Sequence, residues 1–144
     1  MTADKIADLR VKELELLQNV IARLASYGAT LKNYCITLTT AVAGFALTLH
    51  IPAATLLALL PIAICALLDA QYLRNERRFR HLFHLVRAEE WGVRPVFNIG
   101  LDAAPKEAYR AAFASWSIAG FYGPLAGAIL VVCILTGCTY GRLL

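Results

Sequence analysis

The stretch "AATLLALLPIAICALLDAQYLRNERRFRHLFHLVR", residues 53–87, decides the fold, because a single helical pattern begins wholly apolar and ends rich in arginine. Residues 53–68 carry no charge and reach about 24 Å as an α-helix, short of a ~30 Å hydrocarbon core, so this span must borrow a turn from the basic stretch beyond it. Nothing stops the helix at Leu68, since no glycine or proline occurs between Pro61 and Gly92. It continues about six turns further. Tyr72, Phe79, Leu82, Phe83 and Val86 share an apolar face, Leu73 falls off it, and Arg74, Arg77, Arg78, His81, His84 and Arg87 take most of the rest.

Two further apolar blocks flank this one. Residues 33–50, "NYCITLTTAVAGFALTLH", lack Asp, Glu, Lys and Arg, and the block from Ala111 to Cys138 is the longest. Hydrophobic residues make up 59% of the 144-residue chain, above the usual ~45–50%, and they are concentrated in these blocks. The expected architecture is all-α: an integral membrane protein of one domain, residues 1–144, with three transmembrane helices. Residues 1–32 form an N-terminal amphipathic cytoplasmic helix, 33–68 a transmembrane hairpin, 69–110 a cytoplasmic helix and loop, 111–138 the third span and 139–144 an outside tail.

In the N-terminal helix, Ile6, Leu9, Leu14, Leu17, Ile21 and Leu24 fall on one side, and Lys5, Asp8, Lys12, Glu15 and Gln18 oppose them. That helix would lie on the inner leaflet, pack on another cytoplasmic helix or form a short coiled coil. "SYGAT" (26–30) reads as a break before the first span, "HIP" (50–52) as a tight hairpin turn, and Pro105 as the first residue of the helix leading into span three. Both charge signs stud the first 32 residues, so the first span is expected to be a retained anchor rather than a signal peptide.

Five of the fourteen lysines and arginines precede the first span and eight lie between Arg74 and Arg110. The positive-inside rule then puts the N-terminus and middle loop in the cytoplasm of a bacterial inner membrane and the C-terminus outside. Anionic lipid headgroups and topology account for the net charge of +4 without a nucleic-acid partner. Cys35, Cys65, Cys133 and Cys138 show no C-x-x-C or Cys/His metal spacing, so neither a disulfide framework nor a cofactor or metal is expected. They read as small packing residues, with Cys138 alone near the outer face.

Several side-chain sets are candidates for function. Ser115, Ala119, Gly123 and Gly127 recur every four residues, a small-residue stripe that admits a close helix from this chain's hairpin or from another subunit of a homo-oligomer. Asn33, Thr37, Thr40, Gly44 and Thr48 share one face of span one. Their hydroxyls would line a hydrated path in a ring of subunits, or bond their own carbonyls and pack on span three. Pro61, mid-helix in span two, is a kink and candidate hinge, and Pro124 a second kink.

Asp69, where the helix leaves the membrane, should face protein and pair with Lys32 or Arg110. Arg74, Arg77, Arg78 and His81 would meet lipid phosphates, the acids Glu76, Glu89 and Glu90, or a cytoplasmic protein partner. The spacing of Arg74-Asn75 and His81 also falls within the loose arginine–polar–histidine pattern of HEPN-type ribonucleases, a spacing that arises readily in so basic a segment. No charge lies within the core of any span, which argues against a proton relay or an ion-coupled transporter. No enzymatic activity is expected.

"LDAQYLRNERRFRHLFHLVR" (68–87), preceded by "NVIARLASYGATLKNYCITL" (19–38) and followed by "FYGPL" (121–125), resembles a family of small prokaryotic three-span membrane proteins of uncharacterised activity. The resemblance covers most of the chain in order and implies three spans with a cytoplasmic helical unit. More distantly, a two-span hairpin with cytoplasmic helices resembles the membrane effectors of prokaryotic antiviral systems, which oligomerise and permeabilise or depolarise the membrane. The expectation is therefore an oligomeric, channel-like inner-membrane effector. The alternative is a non-conducting accessory or sensor subunit that docks a partner through its basic helix.

Overall fold

A computed structural model describes residues 3–93, 95–97, 100–101, 104–105 and 108–140. Among these residues the chain is helical with no strand: α1 (Ala3–Thr48), a 3₁₀ helix (Pro52–Ala58), α2 (Leu59–Ala88), α3 (Tyr109–Phe113) and α4 (Trp116–Tyr140). The first helix is unbroken for 46 residues, about 69 Å. The break expected at residues 26–30 is absent. Thr30 donates its hydroxyl to the Ser26 carbonyl at 3.0 Å, which lets a turn-favouring residue stay inside a helix. Gly28 stays helical because α2 is packed closely against it.

At its far end α1 closes in a Schellman motif. His50 takes φ 58°, with Ile51 N–H donating to the Ala46 carbonyl at 3.3 Å and His50 N–H to that of Leu47 at 3.1 Å. The expected tight turn is therefore present. The apolar segment after it is not α-helical throughout: Pro52 opens the 3₁₀ helix, and the α-helix proper begins only at Leu59. Pro61 is thus in the first turn of α2 rather than mid-helix, where its missing N–H leaves no gap in the α-helical ladder. The 3₁₀ turns also lengthen the segment. Seven residues at ~2.0 Å and ten more to Leu68 at 1.5 Å span about 29 Å, close to the ~30 Å hydrocarbon core, with no turn borrowed from the basic stretch.

α2 packs antiparallel along α1 over its whole length, in two separate cores. At one end Leu17, Leu82 and Val86 are buried with Leu14, Phe79 and Phe83 packed around them. At the other, Cys35, Ala43, Ala58, Ile62 and Cys65 meet Ile118, Tyr122 and Ile129 of α4. The prevalence of alanine and cysteine in this seam allows close helix approach. Cys133 Sγ lies 3.5 Å from the Pro52 carbonyl, so α4 runs alongside the apolar half of the hairpin toward its turn. Pro105 lies outside helix, the helix after the loop starts at Tyr109, and a break at Ala114–Ser115 separates α3 from α4. α4 continues helical through Pro124.

Two stretches are long and apolar enough to cross a membrane, Pro52–Ala88 and Trp116–Thr139. Only 33% and 17% of their apolar windows are buried, so the chain's own fold leaves most of each apolar stretch uncovered. The apolar half of α1, diluted by Asn33 and four threonines, is not among them. Phe45 at 68% exposed, Leu60 at 60% and Ile134 at 63% nonetheless make the girdle at this end apolar on all three helices.

The continuity of α1 has a direct test. Ala29 is exposed, so Ala29→Pro tests only the backbone. A continuous helix predicts a loss of about 3 kcal/mol in thermal or denaturant unfolding of the solubilised protein, against about 1 kcal/mol for Ala29→Gly. A loop at residues 26–30 would tolerate both.

Candidate functional site

Where the charged and apolar halves meet, Lys32 holds all three long helices. Its Nζ lies 3.2 Å from Asp69 Oδ2 of α2, donates to Ser117 Oγ of α4 at 2.9 Å and sits 5.9 Å from the centroid of the Phe121 ring. Of the two cations expected for Asp69, Lys32 is thus the one that pairs, while Arg110 is exposed on α3. Asp69 is buried and Oδ2 has no hydrogen-bond partner among the described residues, so the contact is Coulombic rather than an aligned hydrogen bond. The gross attraction at this separation is on the order of 5 kcal/mol at an effective dielectric near 20, and desolvation of both groups cancels much of it.

Gly28 makes the pair possible. A Cβ on Gly28 would lie 2.9 Å from Asp69 Oδ1, so only glycine lets the carboxylate approach the α1 backbone. Tyr122 is buried nearby with its hydroxyl unpartnered among the described residues, and Cys35 and Cys65 complete this side of the junction. A cavity of about 320 Å³ opens beside the pair, lined by Ala25, Gly28, Lys32, Asp69, Tyr72 and Ser117 among others. Among the described residues no group of three or more His, Cys, Asp or Glu side chains converges.

A second polar cluster ties the loop after α2 to the start of α1. Arg10, 1% exposed, donates to Glu13 Oε2 at 3.1 Å, to Glu89 Oε2 at 2.7 Å and to the carbonyls of Glu90 and Val93 at 3.4 and 3.3 Å. Glu13 Oε1 in turn accepts the Phe97 N–H at 3.0 Å, where Phe97 adopts φ 53°. Reading the amphipathic face as purely apolar misses this pair. A signal is present all the same: Arg10 and Glu13 lie in register with Leu17, at three- and four-residue steps, so they occupy core positions of the helix.

The loop also reorders the basic face of α2. The Arg74 guanidinium stacks 4.4 Å from the centroid of the Tyr109 ring, and Arg78 donates to the Leu101 carbonyl at 2.8 Å. Arg74, Arg77 and Arg78 are half-buried, whereas His81 is exposed one turn on. Glu76 accepts two bonds from Arg80, at 2.8 and 2.6 Å, and Glu89 belongs to Arg10. Loop backbone and an aromatic ring therefore occupy two of the four side chains expected to make lipid or partner contact.

The hydroxyl stripe of α1 faces outward throughout, and the small-residue stripe does so only at its centre. Asn33, Thr37, Thr40, Gly44 and Thr48 are exposed. Thr37, Thr40 and Thr48 bond carbonyls of their own helix, those of Asn33, Ile36 and Phe45 among them, at 2.7–3.0 Å. α1 packs instead through Cys35, Thr39, Ala43 and Ala46. Of the small residues, Ala119 and Gly123 of α4 are exposed, Gly127 is half-buried, and Ser115, in the break before α4, is half-buried with its Oγ enclosed; a Cβ on Gly44, Gly123 or Gly127 would meet nothing within 4 Å. Ile118, Tyr122 and Ile129 make the contact with the hairpin. Packing of the threonine face on α4 therefore does not occur within the chain.

Comparison with models of known protein families, with curated proteins and with solved structures returns no match for this chain. Function therefore has to be read from the junction, the loop clamp and the two stripes.

Two substitution sets check that geometry. Gly28→Ala is expected to destabilise the protein by forcing Asp69 from its place, while Gly44→Ala and Gly123→Ala leave unfolding unchanged or raise stability by up to about 1 kcal/mol; equal effects at the three sites would contradict the geometry. Arg10→Ala leaves Glu13 buried without its cation and is expected to cost about 3 kcal/mol. It should also accelerate hydrogen exchange at the Phe97 amide, and Arg10→Lys should not restore protection, because one ammonium lacks the fork that reaches four acceptors.

Proposed function

We propose that the chain is a three-span inner-membrane protein that assembles as a homo-oligomer and opens a permeation path, with its charged half standing in the cytoplasm as a sensing stalk. One observation carries the proposal: the hydroxyl face of α1 is left unpacked by the chain's own fold, as are Ala119 and Gly123 at the centre of the small-residue stripe. Faces of this kind favour close helix association in lipid, where apolar burial against solvent no longer drives it. Span one is then the apolar half of α1, because its outward Phe45, Leu38 and Tyr34 need the same apolar surroundings as the other two spans.

Topology follows from the ends. Arg10 beside Glu89 puts the N-terminal helix and the α2–α3 loop together, and these segments, with the charged half of α2 and with α3, hold thirteen of the fourteen lysines and arginines. The positive-inside rule makes that end cytoplasmic. Lys32 and Asp69 then mark the inner boundary. A role as an effector of antiviral defence remains what the architectural resemblance implies.

A second reading, a non-conducting subunit that docks a partner through the stalk, draws support from an open groove between α1 and α2 in the charged half. Reconstitution separates the two. In liposomes holding a potassium gradient, the conducting assembly is expected to dissipate it, and Gly123→Leu with Gly127→Leu to reduce both flux and chemical crosslinking into oligomers without lowering the melting temperature. Gradients that stay intact at every protein-to-lipid ratio would exclude the channel.

A further inference from the structure

Beyond the level where α3 packs on α2, the molecule is built on two long helices, with three buried apolar side chains, Leu17, Leu82 and Val86, at its centre. The loop covers one flank through Arg74, Arg78 and Arg10. The other flank is open. There a groove of about 560 Å³ runs between α1 and α2, floored by Ile21, Ala22, Ala25 and Phe83 and edged by Arg80 and His84.

We infer that this groove is the docking surface for an acidic amphipathic helix of a partner protein. Three observations carry the inference. The floor is apolar with two alanines, the side chains that let a third helix seat between two others at the usual ~8–10 Å axial separation. The rim is basic: exposed Arg23 lies one turn from Asn19 of the lining, and exposed His81 and Arg87 lie one turn either side of His84. Arg80 already holds Glu76 at 2.6 Å, whereas Arg23 and Arg87 are exposed and have no ion-pair partner among the described residues. An acidic partner meets this excess of positive charge with attraction and faster encounter.

Depth selects a protein over a lipid surface. Arg80 and His84 lie 11 and 15 residues beyond Asp69, about 16 and 22 Å along the helix. The headgroup layer on one side is only about 5–7 Å thick. Headgroups thus reach the level of Arg74 but not the groove.

The inference rests on the proposal that this half of the hairpin stands outside the bilayer, and the test keeps the two apart. The full chain is placed in phosphatidylcholine nanodiscs, whose two faces are both open. A fluorescent 18-residue helical peptide with leucines at i, i+3, i+4 and i+7 and glutamates elsewhere is titrated by anisotropy, beside its lysine counterpart. Saturable binding of the glutamate peptide alone is expected, weakened at least tenfold by Ala22→Trp, which fills the groove, and by His84→Glu with Arg23→Glu, which reverses its rim. Circular dichroism confirms that each variant is folded.

Equal binding of both peptides, binding that survives Ala22→Trp, or no binding would overturn the inference. So would protection of the His81 and His84 amides from hydrogen exchange on replacing phosphatidylcholine with phosphatidylglycerol, which would make the groove a membrane surface. Exposure of the stalk is read separately, by labelling of Lys12→Cys with a membrane-impermeant maleimide in inverted vesicles.

Discussion

The fold turns on a single close approach, that of the Asp69 carboxylate over Gly28 to reach Lys32. An unpaired carboxylate buried at this depth would be strongly unfavourable, so α2 can hold its position only where α1 offers both a cation and a missing side chain. Both are one turn apart on the same helix. Because Lys32 also reaches Ser117 and Phe121, the same cation fixes the start of α4. Register between all three long helices is thereby set at one level, the boundary between the apolar and charged halves.

That junction explains why α1 does not break. A glycine in mid-helix costs about 1 kcal/mol, and the flanking Ser26, Tyr27 and Thr30 favour turns, yet a bend there would carry Gly28 away from Asp69. Tertiary packing outweighs local preference. A second polar contact, Arg10 with Glu13 and Glu89, fixes the distal end of the hairpin and holds the loop against it. α1 is thus clamped to α2 and its loop at two points about 27 Å apart, with a small apolar core between them.

Much of this is legible in sequence, and the failures have identifiable causes. The helical class, the long basic continuation of α2, the hairpin turn at His50-Ile51-Pro52 and the need of Asp69 for a cation, Lys32 or Arg110, follow from period, charge and the cost of burying a carboxylate; the structure decides for Lys32. Pro61 is misplaced by the sequence pattern because a 3₁₀ segment reads like an α-helix in an apolar run: both keep side chains at three-residue steps, and only the hydrogen bonding differs. Glycine and small-residue spacing mark faces that permit packing without saying whether the chain itself uses them. Arg10 and Glu13 are hidden among other charges because their partners, 79 to 84 residues distant, come from a loop that has no period to read.

Coupling between the two halves requires α1 to be one rod across both. Spin labels at Lys12→Cys and Thr40→Cys, both exposed positions, in an otherwise cysteine-free chain in nanodiscs, measure this by pulsed dipolar spectroscopy. Twenty-eight residues of continuous helix predict one narrow distance distribution centred near 42 Å. A broad distribution, or one centred well below that value, would mean a bend near residues 26–30 and would contradict it.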